Sequence, residues 1–241
     1  MRKSSIIASM LGGALLAACG GAPASPSAPS VQIAPQDFVV LPCGPLPADR
    51  LCALAVAGGK RVMFGAPAGA VRALSSDDLR LLDAVLIFSV RGRDIEGLDE
   101  LRNESWRAGR SAPLLVIGPT GTEEVITALN KAFEQSDALR IVEEGIPPGG
   151  YDAAIMTARI GAPGQTVFNT GDVQVRAARH GYDMIYNDAA LFQISSCDRT
   201  EPPTRPRADL QTHVRLGCEP DQADQVWPLT APLIIVKNEL P

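Results

Sequence analysis

Two continuous apolar runs, Ala84–Phe88 and Leu114–Gly118, stand out in a chain that otherwise alternates short apolar and polar segments. An unbroken apolar run of strand length is the pattern of a strand covered on both faces. Between the two, Leu98, Leu101, Ser105 and Ala108 recur at helical spacing, so a helix is predicted to link them. After the second run, Thr120 and Glu123 have capping-box spacing, and Val125, Leu129 and Phe133 follow along one face. This second helix is predicted to end near Gln135. Arg176 to His180, followed by Gly181, reads as a last helical turn with a glycine cap, His180 serving the negative helix end. The Pro- and charge-rich stretch from Asp198 to Asp224 reads as irregular, with His213 exposed. No internal repeat is visible. The alternation of strands and helices predicts an α/β fold.

The N-terminus has a different pattern. Arg2 and Lys3 precede an apolar run from Ile6 to Ala18 that ends Leu16-Ala17-Ala18-Cys19. The run is too short for a finished membrane helix and has the form of a signal peptide, residues 1–18. Small residues before a cysteine fit the bacterial lipoprotein signal, in which Cys19 is lipidated and becomes the first residue. The alternative is an ordinary secretory signal with a cysteine there by chance. Acyl chains contribute roughly 0.8 kcal/mol per buried CH₂, so several on one residue would hold the chain stably to a membrane. Gly20 rather than Asp follows, which by resemblance to Gram-negative lipoproteins favours the periplasmic face of the outer membrane over the inner. Residues 20–36 are rich in Pro, Ser, Ala and Gly and nearly free of charge, so with Cys19 they read as a lipidated tether, 19–36. The folded domain is expected over 37–241.

Removal of the signal would leave 223 of the 241 residues, enough for one domain with a sizeable core and short for two. Loss of Arg2 and Lys3 takes the formal charge from −5 to −7. An acidic domain without a basic run offers no electrostatic footprint for nucleic acid. Beyond a membrane reached through lipid, the partner implied is an unnamed protein or small molecule. Cys43, Cys52, Cys197 and Cys218 remain, and in an exported chain they allow two disulfides in three pairings. Cys43 with Cys52 and Cys197 with Cys218 are favoured, because each pair brackets a Pro-containing, turn-rich segment. Free thiols are the alternative. A zinc site fits worse, since no pair has the spacing of a zinc knuckle.

The segment Leu82 to Leu98, Leu-Asp-Ala-Val-Leu-Ile-Phe-Ser-Val-Arg-Gly-Arg-Asp-Ile-Glu-Gly-Leu, resembles the metal-binding loop of metallo-β-lactamase-fold hydrolases with the ligands replaced. In that superfamily a buried strand runs into a His-x-His-x-Asp-His loop, and a helix opens with an Ile/Asp-Gly-Leu turn. Ser89 and Arg91 stand where the two leading histidines belong, Arg93 at the aspartate and Asp94 at the last histidine. Further segments resemble the ribonuclease Z-like and arylsulfatase-like branch. Val56–Gly69 is similar to a hairpin ending in Phe-Asp-Ala-Gly-Pro-Gly, with Gly65 at the aspartate. Ser105–Phe133 matches closely and without gaps. Thr166–Val173 resembles a strand ending in Ser-Gly-Asp-Thr whose aspartate bridges two metals, here Asp172. Asp183–Ala189 resembles a strand ending in His-Glu-Ala, with Asn187 and Asp188 at the first two positions. Leu233–Pro241 resembles the closing strand, with Asn238 at its histidine. The resemblance implies a four-layer αββα sandwich.

It also implies a lost metal site, for which no cofactor is expected. A dinuclear hydrolase of this family uses about five imidazoles, and the chain has two histidines, neither at a ligand position. If the fold is kept, Arg91, Arg93, Asp94, Asp172 and Asp188 are expected to converge. Guanidinium would then replace metal charge, with Arg91 or Arg93 pairing Asp172. A Ca²⁺ or Mg²⁺ on the carboxylates, or an anion pocket at the two arginines, are the other readings. No Ser-His-Asp or Cys-His arrangement can be assembled. The sequence therefore reads as a non-catalytic lipoprotein of metallo-β-lactamase-like fold, a binding or scaffolding module; the alternative is a metal-dependent hydrolase with non-standard ligands.

Overall fold

The apolar runs pair into two sheets that press their alternate side chains together. A computed structural model describes residues 32–237 except 45, 48 and 199–209. The calls on Cys19 and on Asn238 lie outside the described residues. Chain contacts divide the molecule at residue 32, and Ile33–Pro241 forms a unit with its own core.

The first sheet contains β1 (Phe38–Pro42), β2 (Ala53–Ala57), β3 (Lys60–Phe64), β4 (Leu82–Leu86), β5 (Leu114–Gly118), β6 (Met156–Ile160) and β13 (Leu233–Val236), in the order β13-β1-β2-β3-β4-β5-β6. Strands β3 to β6 are parallel, so their C-terminal ends share one edge of the sheet. The second sheet contains β7 (Thr166–Asn169), β8 (Val173–Ala177), β9 (Gly181–Tyr186), β10 (Ala190–Ser195), β11 (Thr212–Gly217) and β12 (Gln225–Val226), in the order β12-β11-β10-β9-β8-β7. Among the described residues the helical elements are α1 (Ser76–Arg80), α2 (Gly92–Ile95), α3 (Leu98–Arg107) and α4 (Thr122–Glu144), with short 3-10 turns at Ala70–Ala73 and Tyr151–Ala154.

Two cores follow from the pleat. Phe38, Phe64, Ala84 and Leu86 of the first sheet meet Val175, Tyr182, Met184 and Phe192 of the second. On the other face of the first sheet Leu54, Met63, Val85, Ile87 and Val116 pack with Leu98 and Leu101 of α3 and Ile126 of α4. The strands β4 and β5 are thus covered on both faces, as their unbroken apolar runs predict. In β8 the pattern is strictly alternating: Val173, Val175 and Ala177 are buried while Gln174 and Arg176 point outward. The described helices all precede the second sheet in the chain, and α3 and α4 cover the first. The protein is an α/β sandwich.

Three local expectations are corrected. Helix α4 has no capping box: its N-cap is Gly121 at φ 97°, a left-handed conformation suited to glycine, and the Thr122 hydroxyl donates to Pro119 O at 2.6 Å. It runs on to Glu144, past Gln135, carried by contacts with α3. Arg176–His180 is not a helical turn. Arg176 lies in β8, and Arg179 and His180 sit in the turn to β9, where Ala178 N–H donates to Gly181 O at 2.9 Å. His213 lies in β11, half-buried, its Nε2 2.7 Å from Gln193 Oε1. Burial, with Arg215 adding to it, holds that imidazole below its ordinary pKa.

Cysteines 43 and 52 are joined, with Cα atoms 5.5 Å apart, and so are Cys197 and Cys218, at 5.3 Å. Each bridge contributes roughly 2–4 kcal/mol through the unfolded chain. Between α3 and α4, Arg102 donates to both carboxylate oxygens of Asp137, with Nη1 to Oδ1 at 3.1 Å, and its guanidinium lies 5.0 Å from the Phe133 ring. The side chains are 1% and 2% exposed. Removing one partner strands a buried charge, so Asp137→Ala is expected to cost about 3–5 kcal/mol in urea denaturation. Arg102→Met combined with Asp137→Leu, which removes both charges, should recover most of that loss; a single-variant loss below about 1 kcal/mol would show that the pair does not hold the helices together.

Candidate functional site

The edge of the first sheet where β3 to β6 end carries the loops of interest. Ile87, one residue beyond β4, donates its N–H to Ile117 O at 2.9 Å, and its carbonyl accepts from the Tyr182 hydroxyl at 2.7 Å. The loop that follows is therefore fastened to both sheets. Burial pushes the Tyr182 phenol above its ordinary pKa, so it remains a donor. Gly65 begins the neighbouring loop, its N–H donating to Leu86 O at 2.7 Å. At φ 84°, a Cβ there would collide with Leu51 O, which is why no aspartate fits this backbone.

Within the loop, Ser89 Oγ donates to Asp94 Oδ2 and accepts from Arg91 N–H at 3.1 Å. Asp94 is 5% exposed. Burial raises its carboxyl pKa, opposed first by the Ser89 hydrogen bond and then by Arg93. The two arginines converge on one carboxylate: Arg91 Nη1 lies 2.5 Å from Asp198 Oδ2, and Arg93 Nη2 donates to Oδ1. Asp198 lies three residues beyond β10 and is held at this edge by the disulfide of its neighbour Cys197 to Cys218. Part of the loop's positive charge is thus offset from beyond the second sheet. Sequence reasoning missed Asp198, because 105 residues separate it from Arg93 and no pattern joins them.

Asp172 and Asn187 are elsewhere. Asp172 is exposed in the turn between β7 and β8, where Oδ1 accepts from Thr170 Oγ1 at 2.9 Å and from Val173 N–H at 3.0 Å. Its Oδ2 lies so close to Gly58, in the β2–β3 turn, that a Cβ there would meet it. Gly58 precedes β3, whereas Ser89 follows β4, so the length of a strand, about 15 Å, separates the two sets. Asn187 N–H donates to Asp172 O at 2.8 Å. Asn187 and Asp188, at φ 50° and 54°, are the two central residues of the β9–β10 hairpin, closed by Ala189 N–H on Tyr186 O at 3.1 Å. The expected convergence of Arg91, Arg93, Asp94, Asp172 and Asp188 is therefore corrected. The structure brings together Ser89, Arg91, Arg93 and Asp94, and places Asp172, Asn187 and Asp188 at the far edge as turn residues. Arg91 and Arg93 pair with Asp198, not Asp172.

The donor set does not fit the metal centre that the resemblance implies. A guanidinium keeps its proton near neutral pH and cannot be a ligand. Among the described residues no group of three or more His, Cys, Asp and Glu could hold a metal ion.

Beside the loop opens a cleft of about 310 Å³, which the sequence did not reveal. Phe88, Pro119 and Pro163 form apolar walls, Tyr182 contributes at the base, and Arg179 and His180 stand at its rim. The His180 carbonyl accepts from Ser196 N–H at 2.9 Å, which ties the rim to the segment carrying Asp198.

The Arg91 side chain is 65% exposed and those of Arg93 and Asp198 about a third, so water screens the pairs. Asp198→Asn is expected to change stability by only about 0–1 kcal/mol. In a double-mutant cycle Arg93 should couple to Asp198 and show no coupling to Asp172. Measurable coupling of Arg93 to Asp172 in thermal or urea unfolding would contradict the placement of Asp172 at the far edge.

No family model matches the sequence, and no curated protein does. Among solved structures the chain is similar to the metallo-β-lactamase fold protein YhfI from Bacillus subtilis, at 12% identity and a TM-score of 0.49, over 68% of this chain and 64% of that one. Human tRNase Z, short form, gives 14% identity and 0.49 over 68% and 70%. A diphosphatase from the PhnP family gives 13% and 0.45 over 79% of each chain. The chain spans about two thirds of the length of the first of these.

Proposed function

We propose that this protein is a non-catalytic binding module of metallo-β-lactamase-like fold, held by lipid on Cys19 at the periplasmic side of a bacterial outer membrane. The observation that carries the reading is the pairing of Arg91 and Arg93 with Asp198 in the loop where metal ligands are implied. The two arginines cannot serve as metal ligands, and the carboxylate beside them is paired to both. A cleft with apolar walls and a cationic rim adjoins this loop, and it favours binding over purely structural scaffolding. The Pro-, Ser- and Ala-rich residues after Cys19 are read as the link between the lipid and the folded unit. No helix among the described residues is long and apolar enough to cross a membrane.

The mature chain, refolded with excess zinc and then dialysed, is expected to carry far less than one equivalent of metal by elemental analysis. A stoichiometric metal removed by Asp94→Ala would overturn the non-catalytic reading and make the protein a metal-dependent hydrolase with unusual ligands. Attachment is tested separately: Cys19→Ala should accumulate as a full-length precursor lacking lipid, and normal processing of that variant with retention at the membrane would reject the lipoprotein assignment.

A further inference from the structure

We propose that the cleft beside Arg179 and His180 binds a small amphiphilic anion, a carboxylate or phosphate monoester on an aromatic or short aliphatic body. The inference rests on the reading of the protein as a binding module and names what it binds. At about 310 Å³ the cleft has the volume of a small-molecule site. Its walls supply apolar contact for the body of a ligand through Phe88, Pro119 and Pro163. These walls are held in place rather than recruited by a ligand. The Phe88 ring packs between Tyr182, at 5.9 Å, and Trp227, at 6.5 Å, and the Tyr182 hydroxyl is already committed to Ile87 O.

The charge at the rim selects the head group. Among the described residues no acidic one lines the cleft, although the chain as a whole is acidic. Both arginines of the neighbouring loop, Arg91 and Arg93, pair with Asp198, and Arg50 of the β1–β2 connection pairs with Glu96. Arg179 has no ion-pair or hydrogen-bond partner among the described residues, and neither does the His180 ring. Both project from a four-residue turn, Ala178 to Gly181, closed by its own backbone hydrogen bond and braced by Ser196 N–H on His180 O. The backbone of the turn is thus fixed, and a planar guanidinium on it can present parallel donors to a carboxylate or phosphate, while a cationic ligand would be repelled.

The mature chain is titrated calorimetrically, in EDTA, with 3-phenylpropanoate, phenyl phosphate and the neutral 3-phenylpropan-1-ol. At least one anion is expected to bind about tenfold more tightly than the alcohol. Arg179→Gln should abolish that preference, whereas Arg176→Gln, on the outward face of β8, should leave it intact. Ala162→Trp, which fills the cleft, should remove binding of the anions while the circular dichroism spectrum stays that of the wild type. Equal binding of anions and alcohol, unchanged anion affinity in Arg179→Gln, or no binding with or without added zinc would overturn the site. Anion binding that appears only on adding zinc would overturn the non-catalytic reading instead.

Discussion

The aromatic seam between the two sheets is the constraint on which the other features depend. Phe38, Phe64 and Phe192 meet edge to face, and Tyr182 and Tyr186 pack against this group from the two ends of β9. Such rings bury large areas and prefer these offset geometries, so they resist both sliding and flipping of one sheet over the other. A one-residue slip in β9 would turn Tyr182, Met184 and Tyr186 to the solvent face. The seam therefore decides which loops of the first sheet share an edge with which loops of the second. Tyr182 brings the turn 178–181 and the end of β10 to the loop after β4. Tyr186 carries Asn187 and Asp172 to the opposite edge.

This constraint explains why patterns within a single segment were legible in the sequence and the placement of the site residues was not. The strands β4 and β5 and helix α3 were legible because burial on two faces or on one helical stripe leaves a pattern inside a single segment. Both disulfides were legible because each pair brackets a Pro-containing stretch, the first closing the β1–β2 connection and the second joining the ends of the parallel strands β10 and β11. Which edge a residue reaches depends instead on the pairing of whole strands. Asp172 and Asn187 carry a local signal that was available and given the wrong weight: Asn-Asp between two alternating strands is a hairpin turn, and Thr-Gly-Asp before Val173 is another. The alternation Val173-Gln-Val-Arg-Ala likewise marks a strand through Arg176, which the glycine at 181 masked by its likeness to a helix cap. Asp198 left no signal, since its role exists only once β10 lies beside the loop.

A carboxylate at Asp198 and a metal ion would perform the same electrostatic task with opposite signs. A metal centre gathers anionic and neutral donors around a cation; here two guanidinium groups gather around an anion. The loop is held by Ile87 on both sheets and not by whatever occupies it. The difference lies in reactivity. A metal lowers the pKa of bound water and generates a nucleophile, whereas a guanidinium keeps its proton near neutral pH and supplies neither a Lewis acid nor a base.

The pairing at Asp198 is local, which gives the neighbouring cleft its character. Asp198 offsets part of the charge of Arg91 and Arg93, and because these side chains are solvated little field projects beyond the loop. Arg179 and His180, on the adjoining turn, lack such a counter-charge among the described residues. An acidic protein that leaves an arginine unpaired beside an apolar cleft gains nothing in stability from doing so, since the guanidinium could be hydrated equally well at any other exposed position. The arrangement has a physical consequence only when an anion enters with an apolar body. The walls then desolvate the body, and the lowered dielectric at the rim strengthens the single charge pair beyond its worth in open water.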